Sequence, residues 1–171
     1  MKKILLASSL ILVFALLGLA QNKSVYTGTT DKDCKATKKS SDDGYIGICK
    51  GVRGYNLELL EGDLRQTINV IAPNKKKSEL NLWSNVSSGF SSIGAKAEWR
   101  MKGIAPIALI IRFNASENPD DSTKITSYLV VSKITKTSAC ITDIIKPSAT
   151  QNAEAQQLAD AATSKPCKKF E

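Results

Sequence analysis

Few residues in this chain have the types and spacing that catalysis requires. The 171 residues contain no histidine, which excludes Ser-His-Asp and Cys-His nucleophilic sites and the zinc sites that use imidazole ligands. The sequence has no nucleophile elbow, phosphate-binding loop or dinucleotide fingerprint. Ser92 and Lys96 are close enough for a Ser/Lys pair, but this spacing is common in a segment rich in both residue types. The sequence therefore predicts no cofactor and no metal site, and disfavours nucleophilic catalysis.

Paired carboxylates are the remaining catalytic option, because two acids facing each other across a cleft can hydrolyse a glycosidic bond. The candidate acids are Glu58, Glu61, Asp63, Glu79 and Glu98. Acids are also expected at turns without any catalytic role. Residues 118–122 offer oxygen ligands for calcium but lack the ordered spacing of a known calcium loop. A small carboxylate-based hydrolase acting on envelope polymers is thus an alternative, and enzyme activity is not the favoured hypothesis.

The favoured functional segment is 84–97, which is rich in serine and glycine and which we predict to be a loop. Serine, glycine and asparagine adapt their hydrogen bonds to a partner, and aromatic side chains anchor that partner. The predicted binding residues are Trp83, Ser88, Gly89, Phe90, Ser91 and Trp99. The alternative is that Phe90 and Ile93 tuck into the core and that the tryptophans pack across neighbouring strands.

A β-rich domain over 44–171 is expected to position this segment. Residues 106–113 form an almost unbroken apolar run, and 127–134 are rich in β-branched and aromatic residues, with turn formers between them. In a further strand, Leu64, Ile68 and Val70 share one apolar face. The other predicted strands are 44–49, 55–60, 79–83, 98–101 and 139–145. The fold class is therefore mainly β, an antiparallel sheet or sandwich of about seven to eight strands.

The two ends of the mature chain have a different character from this domain. Residues 21–43 are polar and rich in lysine, serine and threonine, and we predict an irregular lead-in. At the other end one helix is predicted over 149–162. Residues 148–151, Ser-Ala-Thr-Gln, have the spacing of a capping box.

Residues 1–20 have the pattern of an export signal. Two lysines precede an apolar run, and small residues ending at Ala20 suit a signal peptidase. The run is at the short end for a spanning helix, which needs about 20 residues, so we favour cleavage near Ala20 over a retained anchor. The mature chain is expected to be soluble and either periplasmic or secreted.

Four cysteines in an exported chain predict two disulfides. Three connectivities are open. We favour Cys34–Cys49 and Cys140–Cys167, because each bridge closes a local loop and contributes on the order of 3 kcal/mol. The chain lacks a CxxC pair as well as histidine, which disfavours a metal or redox role for these thiols.

Basic residues outnumber acidic ones, 24 to 16, and the net charge is +8. It falls to +6 if Lys2 and Lys3 leave with the signal. The lysines are scattered and only four arginines are present, unlike the arginine clusters of a nucleic-acid reader. We therefore expect no specific nucleic-acid binding, and weak contact with anionic surfaces such as lipid head groups or acidic polymers.

A resemblance to other proteins rests on five segments: Cys49-Lys-Gly51, Gly62-Asp-Leu-Arg-Gln66, Ser88-Gly-Phe-Ser-Ser-Ile-Gly94, Ala97-Glu-Trp-Arg100 and Ile125-Thr-Ser-Tyr-Leu-Val-Val-Ser132. These segments resemble an uncharacterised family of small exported bacterial proteins, over roughly 44–167. The resemblance implies a bacterial source and export, and no activity. Ser88-Gly-Phe90 is also loosely similar to the inhibitory loop of small exported lysozyme inhibitors.

The favoured hypothesis is an exported, non-catalytic binding protein whose partner is another protein or an envelope component. The alternatives are the carboxylate-based hydrolase, a lysozyme-inhibitor-like protein and a purely structural envelope protein.

Overall fold

A computed structural model describes residues 22–40 and 44–170. The predicted signal peptide, 1–20, lies outside the described residues. The described strands are β1 (Lys23–Gly28), β2 (Cys34–Ser40), β3 (Gly44–Lys50), β4 (Asn56–Gly62), β5 (Arg65–Ile71), β6 (Lys77–Glu79), β7 (Phe90–Lys102), β8 (Ala105–Ser116), β9 (Ile125–Ile134) and β10 (Ala139–Ile145). The described helices are α1 (Leu82–Asn85) and α2 (Gln151–Asp160), and a 3₁₀ turn follows at Ala162–Ser164.

The strands form two antiparallel sheets, which confirms the predicted mainly β fold with one C-terminal helix. The first sheet has the order β1-β7-β8-β9-β10 and the second the order β2-β3-β4-β5-β6. An apolar core lies between them, with Leu57 and Ile68 from the second sheet and Trp99 and Phe113 from the first. The outer face of the first sheet carries a smaller core beneath α2.

The central hairpin predicted from the apolar runs is present as β8 and β9. Most residues in the middle of both strands are buried. Ile111 and Val130 face the core between the sheets, whereas Ile110 and Val131 face the helix. Burial on both faces is the reason that the sequence of β8 is apolar without alternation.

β1 and β2 occupy the segment that was predicted to be irregular, and that prediction is wrong. Both are edge strands: β1 pairs with β7, and β2 pairs with β3. An edge strand needs only one pairing partner and tolerates lysine, which also discourages pairing with other molecules. Because of this polar composition, the sequences of β1 and β2 resemble an irregular segment.

Both predicted disulfides are confirmed. Cys34 and Cys49 lie opposite each other on β2 and β3, and Cys140 on β10 is bonded to Cys167 in the C-terminal tail. Because disulfides persist in oxidising environments, the two bridges indicate an extracellular or similarly oxidising location.

Helix α2 is present, but the predicted capping box does not form. Thr150 is the N-cap residue and makes no side-chain cap hydrogen bond. The Gln151 side chain is buried and donates to the Ser127 and Ile145 carbonyl oxygens, at 2.7 and 3.0 Å. The Gln151 side-chain amide, which the capping box required, is therefore bonded to strand carbonyl oxygens instead.

The segment 84–97 is not one loop, and the predicted strand 79–83 is also wrong after Glu79. Helix α1 follows β6, residues 86–89 form a turn, and β7 starts at Phe90. The register of β7 against β8 shifts between Ile93 and Ala97. At this irregularity a Cβ on Gly94 would lie 2.8 Å from the Arg112 Cβ, so the glycine permits close approach instead of marking a loop.

The two sheets also contact each other along their sides. At the start of β7, the Ser91 amide donates to the Leu64 carbonyl oxygen beside β5, at 3.0 Å. On the opposite side, the Ala139 amide donates to the Ser78 hydroxyl at 2.9 Å and joins β10 to β6. The start of β7 thereby brings the turn 86–89 next to the β4–β5 turn.

Candidate functional site

The predicted recognition residues are divided between the surface and the core. Phe90 is 48% exposed, Ser88 is exposed and Trp83 is half-buried. Ser91 is buried, and Trp99 has no exposed surface. The Trp99 ring lies 6.0 Å from the Tyr55 ring, and its Nε1 donates to the Thr27 hydroxyl at 2.9 Å. Trp99 is therefore a core residue in this structure, and Trp83 is the tryptophan that reaches the surface, where it lines a cavity with Arg65 and Ser88.

Five side chains form what we call the Phe90 surface: Leu64, Arg65, Trp83, Ser88 and Phe90. The Arg65 guanidinium carbon lies 5.8 Å from the Phe90 ring centroid, a cation–π distance. Arg65 Nε donates to the Ser88 carbonyl oxygen at 2.9 Å, and its Nη1 donates to Asp63 at 2.6 Å. Arg65, Trp83 and Ser88 line a shallow cavity of about 350 Å³. Arg65 thus connects the β4–β5 turn to the turn before Phe90.

A larger hollow of about 770 Å³ lies beside this surface. The turn 86–89 forms one wall and the turn after β8 forms the other. The residues that line both walls include Ser87, Gly89, Phe90, Glu117 and Pro119. Mixed apolar and hydrogen-bonding walls suit a peptide or a protein side chain more than a purely apolar ligand.

Glu117 connects the two walls of the hollow. The Tyr128 hydroxyl lies 2.9 and 3.0 Å from the two Glu117 carboxylate oxygens. Partial loss of water contact raises the pKa of Glu117, but hydrogen bonds from Thr126, Ser87 and Tyr128 outweigh it and hold the pKa below its usual value. The ionised carboxylate therefore fixes the turn 86–89 against β9.

Gly89 determines how closely the chain approaches β8 before Phe90. A Cβ at this position would lie 2.1 Å from the Ser116 carbonyl oxygen. No side chain fits without displacing backbone. Phe90 is then paired with Ser116 in the register of β7 and β8, so the ring projects from a defined position and not from a free loop.

No protein-family model, curated protein or solved structure matches this chain. The functional assignment therefore rests on the physical character of the Phe90 surface.

Leu64 and Arg65 are the two residues of this surface that sequence reasoning missed. The face shared with Ile68 and Val70 predicted an inward side chain, but Leu64 lies in the turn and is 66% exposed. Asp63 and Leu64 have φ values of 51° and 56°, as in a turn that favours Asn-Gly. Leucine in this conformation is strained by about 1 kcal/mol. An apolar residue that is both strained and exposed is typical of a functional site. The sequence does not show that Leu64 is such a residue, because the turn conformation is visible only in the structure.

The five candidate acids do not share one cleft in the described structure. Glu58, on the outer face of the second sheet, accepts from Asn69 and Lys77 at 2.9 to 3.0 Å. Glu61 accepts from Gln66 at 2.6 Å and Asp63 from Arg65. Glu98, on the other sheet, accepts from Ser24 and Gln156, and Glu79 is exposed. Structural hydrogen bonds thus occupy four of the five carboxylates.

The acidic turn 118–122 is held by its own hydrogen bonds. The Asp120 amide donates to the Asn118 side chain, and the Thr123 amide and hydroxyl donate to Asp121. Among the described residues no group of three or more cysteines, aspartates or glutamates could hold a metal ion. None of the helices within the described ranges is long and apolar enough to cross a membrane.

Proposed function

We propose that this protein is an exported, non-catalytic binding protein that recognises a protein partner through the Phe90 surface. One observation carries the proposal: Phe90 and Leu64 are two large exposed apolar side chains, and a backbone hydrogen bond from the Ser91 amide to the Leu64 carbonyl oxygen joins the segments that carry them. Exposing apolar groups in a patch is unfavourable in water and typical of an interface. Phenylalanine, tryptophan and arginine are also the residue types enriched where binding energy concentrates.

The contacts of the surface indicate the chemistry of the partner. Phe90 and Leu64 offer apolar area, and the Phe90 ring is already oriented by Arg65. Ser88 lies beside it and is exposed, so its hydroxyl can reach a partner, whereas the Ser84 and Ser87 hydroxyls already donate to Asn81 and Glu117. A protein segment that presents one apolar side chain and adjacent backbone polar groups fits this combination. Because Asp63 already pairs with Arg65, a strongly acidic partner is not required.

The proposed location is the bacterial periplasm or the medium outside the cell. The signal pattern of residues 1–20 supports export, and two disulfides agree with an oxidising compartment.

Capture of partners from an envelope extract tests the proposal. The immobilised disulfide-bonded chain is compared with Phe90→Ser, which we expect to lower recovery of specific partners by at least about ten-fold, as for a residue at an interface centre. Tyr26→Ser is the matched control, because Tyr26 is a 55% exposed aromatic residue on β1, away from this surface. We expect Tyr26→Ser to retain binding. Equal recovery by both variants would contradict the proposal.

A lysozyme inhibitor is the second candidate, favoured by the exposure of Ser88 and Phe90 at one end of the sandwich. Adding the chain to a cell-wall lysis assay should then slow lysozyme, and Phe90→Ser should relieve the inhibition. An unchanged lysis rate would remove this candidate and leave the general binding proposal intact.

A further inference from the structure

Four turns meet at the end of the sandwich opposite to the Phe90 surface. They connect β3 to β4, β5 to β6, β7 to β8 and β9 to β10. The Tyr55 hydroxyl donates to the Thr135 carbonyl oxygen at 2.7 Å and joins a turn of one sheet to a turn of the other. The Phe90 surface lies instead at the β4–β5 turn and the start of β7. The two ends are therefore separate surfaces.

Each of the four turns contains or directly follows an exposed basic residue, and none of the four contains an acid. We call this surface the basic end; its residues are Lys50, Arg53, Lys75, Lys76, Lys102 and Lys136. None of the six forms an ion pair with another residue in the part of the chain that the structure describes. The disulfide at Cys167 places Lys168 and Lys169 beside the first residues of β10, close to the same end.

The turns around the Phe90 surface have the opposite composition. They contain more acids than bases, and the acids are Asp63, Glu117, Asp120 and Asp121. The topology therefore gathers basic residues that are scattered along the sequence, and they outnumber acids at this end only. A surface of unpaired lysines attracts anionic partners at a range set by the salt concentration.

Ile104 is placed at the tip of the β7–β8 turn, within the basic end. Its side chain is 73% exposed, more than any other large apolar side chain among the described residues. Gly103 has a φ of 61° and allows the tight turn that presents Ile104. An apolar tip flanked by lysine suits a membrane surface, because lysines contact anionic head groups while the apolar group enters the interface.

We propose that the basic end docks on an anionic lipid bilayer. Charge alone would also suit an acidic polymer, but such a polymer offers nothing apolar to Ile104. Docking in this way directs the Phe90 surface away from the membrane and towards other proteins. The inference concerns a second surface and stands whether or not the Phe90 surface binds a partner.

Co-sedimentation of the disulfide-bonded chain with lipid vesicles tests this inference. We expect binding to vesicles of phosphatidylglycerol and phosphatidylcholine, weak binding to phosphatidylcholine alone, and loss of binding at high salt. Each lysine near an anionic surface contributes about a five-fold factor. The double variant Lys75→Ser, Lys76→Ser should therefore bind more than ten-fold more weakly, and Ile104→Ser several-fold more weakly.

The matched control is the double variant Lys124→Ser, Lys146→Ser. It removes the same charge from two exposed lysines at the Phe90 end and should retain vesicle binding, as should Phe90→Ser. Equal losses in both lysine pairs would overturn the inference, because overall charge would then explain binding. Binding to polyglutamate but not to vesicles, unchanged in Ile104→Ser, would assign the surface to an acidic polymer and also overturn it.

Discussion

Arg100 and Phe90 lie on the same strand, β7, and the fold places them in opposite environments. Arg100 is charged and only 6% exposed. Its guanidinium donates to both Asp160 carboxylate oxygens at 2.7 Å, to the Ser24 hydroxyl at 2.6 Å and to the Asn22 carbonyl oxygen at 3.0 Å. Phe90 is apolar and nearly half exposed, with Arg65 across its ring.

The difference separates a structural site from the proposed binding site. Burying a charge is unfavourable unless its hydrogen bonds are replaced, and here Asp160 of α2 and Ser24 of β1 replace them. The Arg100 cluster therefore holds the helix and an edge strand to the first sheet. At the Phe90 surface the unfavourable feature is the exposure of apolar side chains. A bound partner would bury them.

The largest expected effect is on the Arg100 side. Asp160→Ala leaves the Arg100 guanidinium buried without its carboxylate, and we expect a loss of about 3 kcal/mol in the free energy of unfolding, measured by urea denaturation. The control is Asp143→Ala, which breaks the partly exposed Asp143–Lys165 pair and should cost about 1 kcal/mol or less. Similar losses in both variants would show that the Arg100 cluster has no special structural role.

A smaller effect, of opposite sign, is expected at the Phe90 surface. Leu64→Gly relieves the positive φ and should raise the free energy of unfolding by about 1 kcal/mol while weakening partner capture. Leu64→Ala removes the side chain but keeps the strained conformation. It should weaken capture without the gain in stability. If Leu64→Gly is no more stable than Leu64→Ala, the turn is not strained as we infer.

The smallest expected effect is the loss of the Glu117 contribution to stability at low pH. The pKa of Glu117 is below its usual value of 4.5 in the folded protein, so its contribution to stability is present above pH 4.5 and is lost as the pH falls through the lowered pKa. The difference in melting temperature between the wild type and Glu117→Gln should therefore shrink below pH 4.5. Glu79→Gln, at an exposed site, is the control. A constant difference across this range would contradict the role of Glu117.

Local patterns in the sequence predicted the elements that bury apolar side chains in a regular pattern. The hairpin of β8 and β9, the strand β10 and helix α2 follow from apolar runs and helical spacing. The disulfide pairing followed from loop length. The two polar edge strands were missed, because each becomes a strand only through the hydrogen bonds of its partner: β7, remote in sequence, for β1, and the following strand β3 for β2.

The candidate site was predicted only in part, because some of its residues are remote in sequence. Ser88-Gly-Phe90 was chosen because a glycine–serine segment with an aromatic residue is typical of recognition. Its neighbours Leu64 and Arg65 come from a hairpin that is remote in sequence, and the amide of Ser91 brings them together. Leu64 gave no signal, because its exposure depends on a turn conformation that leucine does not favour.

By itself the sequence determined that histidine chemistry is absent, and it favoured the cysteine pairing that the structure has, because composition and loop length need no coordinates. Only the tertiary structure decided which tryptophan is exposed and where the lysines gather. Successive residues of a strand point to opposite faces, so strand pairing places Trp99 in the core. Antiparallel topology brings basic residues in or beside four separate turns to one end and leaves Phe90 at the other.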